Sequence, residues 1–293
     1  MTRQTFTITP QGPFSLAEAA AFGFGQRSGS DRDGVMRLAF CVDGYTEQAG
    51  VEVRQDPDGT VQGTVFGPAS LGDAIERQVA RVLSLDHDGR EFTKIGQRDP
   101  VIRTLQQAAP GLRPPLFYSP YEAAAWSVLS ARRSAPQMMA VRQRLSEQYG
   151  QVFELAGQQL AAFPLPEALL RVSSFPGVTP EKIERLHGVA RAALDGQLDV
   201  ARLISLGPDE AKVRLQRIKG IGPFYSSLIV IRGTGFADVL PIGEPQAMEL
   251  ISRLYDLGEP LTEQKFRELA EPWKPLRTWA TVLIRAAGPR VLS

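Results

Sequence analysis

The stretch LQRIKGIGPFYSSLIVIRG, residues 215–233, decides how the rest of this chain is read. Its core has the form Leu-x-x-Ile-x-Gly-Ile-Gly. That is a helix with Leu215 and Ile218 on one face, a turn at Gly220 and Gly222, then a second apolar helix opened by Pro223. Two glycines two apart bring backbone N–H groups to the start of the second helix. Those donors, with the positive end of the helix dipole behind them, suit a phosphate oxygen and read no base sequence. A plain turn between helices is the bland reading of the same glycines. The apolar flank of Leu215, Ile218 and Ile221 weighs against it.

Composition sets the outer limits. At 293 residues, 43% apolar and 22% charged, the chain is long enough for a sizeable core and two or three lobes. No apolar run reaches the length of a membrane span, and MTRQTFTITP lacks the apolar centre of a signal peptide, so a cytoplasmic protein with no membrane partner is expected. Cys41 is the sole cysteine, which excludes an internal disulfide, a four-cysteine cluster and a cysteine-based zinc site. With only His87 and His187, no histidine-rich metal centre is expected either. Chemistry must rest on carboxylates, arginines, hydroxyls and backbone. A net charge of +1 neither supports nor opposes a nucleic-acid partner.

Residues 1–88 read as α+β. A strand is expected at 5–9, then a helix over SLAEAAAFGFG with Ser15 and Glu18 as a capping box. Strands follow at 35–42, 50–54 and 61–66, with Asp58-Gly59 as a hairpin turn, and a helix from Ser70 to Leu85 with Asp73 in its first turn. This order predicts a small antiparallel sheet covered by helices. Residues 89–293 read as all-α, with helices expected at 120–131, 135–149, 167–172, 180–195, 208–218, 223–232, 245–255, 262–269 and 275–287. The proline-dense segment 110–121 reads as a fixed connection.

Four stretches in order, 109–134 (APGLRPPLFYSPYEAAAWSVLSARRS), 215–233, 237–245 (ADVLPIGEP) and 270–285 (AEPWKPLRTWATVLIR), resemble the DNA-3-methyladenine glycosylase II family of the helix-hairpin-helix glycosylase superfamily. The N-terminal lobe matches the small domain of that family, which is related to the TATA-binding-protein sheet. The resemblance spans nearly the whole chain and is most specific at the hairpin and at Trp273-Lys274-Pro275. It implies an α+β N-terminal domain followed by a mainly α-helical glycosylase domain. The implied activity is that of a monofunctional DNA glycosylase in base excision repair, cleaving the N-glycosidic bond of damaged, alkylated bases flipped out of the duplex. The implied partner is double-stranded DNA bound by a monomer, with no cofactor. Hairpins of this kind can hold a monovalent cation through backbone carbonyls, which the resemblance leaves open here.

The same resemblance implies site residues. The family's catalytic aspartate position is Glu244, in LPIGEP, where a carboxylate would stabilise an oxocarbenium-like sugar. Glutamate reaches one methylene further, and misplacement by about 1 Å can cost on the order of a hundredfold in rate. The alternative is that Glu244 only favours the N-terminus of the helix opened by Pro245. Asp238 ranks second, at a position where the family has a structural aspartate.

The turn Ala131-Arg132-Arg133, ahead of a Ser134–Gln137 capping box, takes the place of the loop that fills the gap left by a flipped base; the family usually has glutamine followed by glutamine or leucine there. The implied DNA-binding set is therefore Gly220, Gly222, Arg132 and Arg133, with a solvated basic turn as the alternative for the arginines. In the base pocket, Leu228 and Arg285 stand where well-known members place aromatic rings, and Trp126, Phe224, Tyr225 and Trp279 are the other candidate walls. An arginine at 285 would repel an alkylpurine cation. Phe224 stands where bifunctional relatives carry a Schiff-base lysine, which points to base removal alone. The competing reading is a catalytically silent DNA-binding relative that recognises lesions or deformed duplex.

Overall fold

A computed structural model describes residues 2–22 and 33–293. Four antiparallel strands, β1 (Thr2–Ile8), β2 (Met36–Cys41), β3 (Gln48–Gln55) and β4 (Val61–Gly67), form a sheet in the order β1-β4-β3-β2. β3 and β4 meet through the expected turn, with Gly59 at φ 91° and its N–H donating to Asp56 O. α1 (Leu16–Ala21) starts at Ser15, whose hydroxyl accepts from Glu18 N at 3.2 Å. Residues 23–25 of the helix expected there lie outside the described residues. α2 (Gly72–Val82) begins two residues later than read from sequence, because a 3₁₀ turn, Ala69–Leu71, takes up Ser70.

The remainder is mainly helical: α3 (Gly89–Arg98), α4 (Pro100–Ala108), α5 (Pro120–Ser130), α6 (Ala135–Tyr149), α7 (Pro166–Leu170), α8 (Pro180–Leu194), α9 (Val200–Leu215), α10 (Pro223–Ile229), α11 (Pro245–Leu254), α12 (Glu263–Leu269) and α13 (Arg277–Leu292). α9 bends at Gly207, which takes φ 74° ahead of Pro208. No helix among the described residues is long and apolar enough to cross a membrane.

Two local expectations fail. The stretch read as all-α contains a hairpin, β5 (Val152–Leu155) and β6 (Gln158–Ala161), turned at Ala156 and Gly157, which both take positive φ. The hairpin lies on the sheet: Phe153 packs over Gly50, where a Cβ would sit 2.7 Å from its ring. β2 is consequently buried along its whole length, with α2 on one face and the hairpin on the other. Ser134 does occupy the N-cap of α6, but its side chain makes no capping bond.

Residues far apart in sequence share cores. Phe92, Ile95, Ile102 and Leu105 of α3 and α4 pack with Ile251, Phe266, Trp273 and Leu283 from the last third of the chain. Asp99 pins that junction. Its Oδ1 accepts from Val101 N and Ile102 N, and its Oδ2 accepts from the Tyr255 hydroxyl at 2.6 Å and Trp273 Nε1 at 2.8 Å. Trp273 is thus an anchor, which gives the Trp-Lys-Pro stretch a structural reason. Arg113 ties the connection to the N-terminal lobe by donating to the carbonyls of Gln11, Gly12, Pro13, Ser84 and His87. Desolvation lowers its pKa to about 10.

A buried ion pair fastens α5 to α6. Arg142 donates to Glu122 Oε2, while Cys41 N donates to Glu122 Oε1 at 3.2 Å, and Glu122 is fully buried. Burial raises the Glu122 pKa against the pull of Arg142 and the Cys41 N–H. Removing one member of such a pair strands the other, which costs about 3–5 kcal/mol, whereas replacing both by apolar groups is often neutral. Glu122→Gln should therefore lose about 3–5 kcal/mol in urea denaturation, with Glu122→Leu/Arg142→Met much closer to the parent. A single variant within about 1 kcal/mol of the parent would contradict this.

Candidate functional site

α5 and the end of α10 cross at very short range. Past Ile229 the chain makes a π-helical turn, Val230–Thr234, and a Cβ on Gly233 would lie 3.1 Å from Pro120 Cα. The last carbonyls of a helical segment have no partner within it. Here Phe117 N donates to Arg232 O at 2.8 Å and Arg81, from α2, donates to Gly233 O at 2.9 Å. Arg81 is itself fixed by its Nη2, which donates to both carboxylate oxygens of Asp43. α5 and α10 are thereby held side by side with their outer ends facing α13.

Between them opens a cavity of about 450 Å³. Sites for small molecules commonly span roughly 300–1,000 Å³ and combine apolar walls with a few polar groups. The walls here are Trp126 and Ser130 from α5, Phe224, Tyr225 and Leu228 from α10, and Thr278, Thr281, Val282 and Arg285 from α13. Glu244 lies at the edge formed by the start of α11. Five of the six residues read from sequence as pocket walls are brought together. A second cavity of about 440 Å³, lined by Arg202, Arg214, Arg217 and Asp195, lacks any aromatic wall.

Trp279 is the exception, and helix geometry gives the reason. Thr278, Thr281, Val282 and Arg285 recur at the three-to-four spacing of one helical face, and Trp279 is a further 100° round. It is 2% exposed, edge-on to Phe92 and His87, with the Arg113 guanidinium 5.7 Å from its ring. It belongs to the core beneath α13.

Glu244 serves two partners at once. It is the N-cap of α11, with Oε2 accepting from Ala247 N at 2.6 Å, and Oε1 accepts from the guanidinium of Arg285. The pair is partly accessible, the side chains being 21% and 33% exposed. Asp238 has no such access to the cavity. Arg277 grips both of its oxygens, at 2.7 and 2.9 Å, and Arg277 N donates to it, so it secures the start of α13. Thr278 Oγ1 stitches the adjoining loop by donating toward Phe236 O and Val239 O and accepting from Val239 N. The loop carrying Glu244 is therefore fixed at its root.

Several wall residues escaped the sequence reading, Ser130, Thr278, Thr281 and Val282 among them, and two more join distant parts of the chain. Phe22, at the end of α1, reaches the cavity from the N-terminal lobe, and Arg232 lies under it with its guanidinium 5.2 Å from the ring. Arg232 also donates to Pro115 O. Its position inside the apolar run LIVIR masked it, and no local signal pairs it with Phe22.

The two turns flank the mouth. Ser130 and Ala135 line the cavity on either side of the turn holding Arg132 and Arg133, both exposed. Phe224, 50% exposed, follows the hairpin turn directly. The two hairpin glycines have different reasons. Gly220 takes φ 98°, which L side chains rarely adopt, whereas a Cβ on Gly222 would meet nothing within 4 Å. Backbone at 222 is thus open to close approach. Segment 216–222 contains no carboxylate, so a cation there would rest on backbone carbonyls. Among the described residues no three His, Cys, Asp or Glu side chains converge as a metal site.

Comparison with known proteins bears on this geometry. No protein-family model matches the chain. A DNA-3-methyladenine glycosylase of Bacillus subtilis is 24% identical over 213 residues, covering 71% of this chain and 70% of that protein. The structure of a 3-methyladenine DNA-glycosylase from Archaeoglobus fulgidus superimposes with a TM-score of 0.79 at 21% identity, covering 98% of this chain and 99% of the other. An 8-oxoguanine glycosylase/lyase of Clostridium acetobutylicum, solved with double-stranded DNA, gives 0.72 at 18% identity over 96% and 93% of the two chains. The two solved structures share the fold of this chain.

The double duty of Glu244 has a measurable signature. Glu244→Ala should cost about 1 kcal/mol of stability through the lost cap. Arg285→Ala, which removes only a partly exposed pair, should cost less than about 1 kcal/mol. Thermal denaturation of the two variants checks this, and an Arg285→Ala loss larger than that of Glu244→Ala would contradict it.

Proposed function

We propose that the chain is a divergent member of the helix-hairpin-helix DNA glycosylase superfamily and a monofunctional glycosylase removing damaged, alkylated bases from duplex DNA in base excision repair. One observation carries the reading: the Glu244 carboxylate lines the same cavity as Trp126, Phe224 and Tyr225, with both basic or glycine-bearing turns at its mouth. A stacked base is out of reach of such a site, so the nucleotide must leave the duplex. The hairpin holds the backbone at Gly220 and Gly222, Arg132 fills the vacated stack, and Arg133 meets phosphate. The base enters between the aromatic walls.

Cleavage breaks the C1′–N bond with its electron pair going to the base. An N-alkylated purine is cationic and leaves neutral, while the sugar becomes the cation. Water then attacks C1′, loses a proton and leaves an abasic site. At about 4 Å and an effective dielectric of about 20, a carboxylate stabilises such a cation by roughly 4 kcal/mol. Glu244 is the residue proposed to supply that charge. Arg285 opposes it: a guanidinium bonded to the carboxylate offsets the field, so the full effect requires Arg285 to turn toward solvent. With Phe224 rather than lysine after the hairpin, the strand is left uncut. No step draws on a cofactor.

The engagement of both Glu244 oxygens favours a second reading, in which the protein binds lesions without removing them. Two variants separate the readings on methylated duplex, and a third tests the hairpin. Glu244→Gln should keep binding and lose base release by roughly a hundredfold or more. Arg285→Gln should raise release of cationic bases severalfold by unmasking the carboxylate. Binding without release in the parent and in both variants would leave the silent reading standing. Gly222→Val should fold normally yet weaken binding to intact and damaged duplex alike, since phosphate contacts do not specify bases. Undiminished affinity in that variant would exclude the hairpin as a contact.

A further inference from the structure

The turn after α5 is held in an unfavourable conformation. Ala131 has φ −52° and ψ 119°, Arg132 has φ 56°, and Arg133 N donates to Ser130 O at 3.0 Å. The central residues of a type II turn sit at about −60°, +120° and then at positive φ, a position that favours glycine. Arginine there is strained. Rotating the Ala131–Arg132 peptide by about half a turn would give a type I turn, relieve Arg132 to negative φ and re-aim its side chain.

One side chain prevents that rotation. The Lys182 ammonium, from the first turn of α8, donates to Ala131 O at 3.0 Å and to Leu129 O. Ala131 O belongs to the very peptide whose orientation separates the two turn types. Leu129 O is an end carbonyl of α5, where a cation is also favoured by the helix dipole. The neighbour one turn along on the same face of α8, Arg185, lays its stem across Gly220, with its Cδ 3.0 Å from where a Cβ would be. α8 therefore touches both turns at the cavity mouth. Lys182 is crowded by like charge as well: desolvation, then Arg133 and Arg185, lower its pKa.

We propose that Lys182 is a positioning residue that locks the Ala131–Arg132 peptide so that Arg132 points into the gap left by a flipped nucleotide. This rests on the reading of Arg132 as the residue that fills the gap. Lys182 itself does not touch the base or sugar. Through Arg185 and Gly220, the same helix sets the distance from this turn to the hairpin.

The test measures affinity at one fixed salt concentration for a duplex containing a tetrahydrofuran abasic nucleotide and for the matched intact duplex. Lys182→Met should lose about tenfold on the abasic duplex and less than about twofold on the intact one. Lys182→Arg, which keeps donors within reach of both carbonyls, should restore most of the selectivity. In an Arg132→Ala background, Lys182→Met should add no further loss, because the residue acts only through Arg132. If Lys182→Met fails to fold, Lys182→Gln, too short to span both carbonyls, takes its place. Equal losses on both duplexes would make Lys182 a phosphate contact, and additive losses would make it independent of Arg132; either overturns the proposal. A selective loss for Arg132→Ala alone, with Lys182→Met unchanged, overturns it while sparing the role of Arg132. No selective loss for Arg132→Ala removes that role and the proposal with it.

Discussion

The contact on which the site depends is the close crossing of Gly233 and Pro120. A side chain at 233 would force α5 to give by a few tenths of an ångström at Pro120. The crossing falls in the π turn that ends this helix, and the end carbonyls need partners from elsewhere. Phe117 N supplies one and Arg81 the other. Arg81 sits on α2, packed on the sheet, and is braced by Asp43, whose own pKa is raised by desolvation against the pull of Arg81. The N-terminal lobe therefore acts on the cavity through one guanidinium and through Phe22, which forms part of the wall. Its sheet is a buttress for the helices that enclose the pocket.

Two carboxylates precede α13 in sequence, and their surroundings separate their roles. Asp238 is held by both prongs of Arg277 and by a backbone N–H, all in the service of helix placement. Glu244 has one oxygen committed to the cap of α11 and the other to Arg285, a more accessible partner at the cavity wall. Of the charged residues on that wall, Glu244 is negative while Arg232 and Arg285 are positive. Under the proposed function, a cationic base entering this pocket would meet net opposition unless Arg285 moves, and Arg285 would then discriminate between cationic and neutral bases as well as restrain Glu244.

Much of this was legible because local rules coincide with tertiary need. Gly220 and Gly222 marked the hairpin turn, Ser15 the start of α1, and Asp58-Gly59 the β3–β4 turn. What escaped depends on contacts between distant segments. β5 and β6 are four residues each and become strands by lying on β2 and β3. The family resemblance offers Trp279 as a pocket wall, and the 100° step along α13 sends it into the core. Arg285 read as a lone positive charge because its partner is 41 residues away. Glu244 was read either as a catalytic group or as a helix-start acid, and the geometry joins the helix-start function to a place on the cavity wall.

The central claim is that Glu244 acts on a positively charged sugar. It is tested most directly by comparing affinities for two duplexes that differ only in the abasic nucleotide, one a cationic pyrrolidine and the other a neutral tetrahydrofuran. Analogues of a transition state bind about a hundredfold or more tighter than ground-state counterparts when the site is complementary to that charge. The pyrrolidine duplex should bind at least about a hundredfold tighter, with the preference lost in Glu244→Gln. Equal affinity for the two duplexes in the parent protein would contradict it.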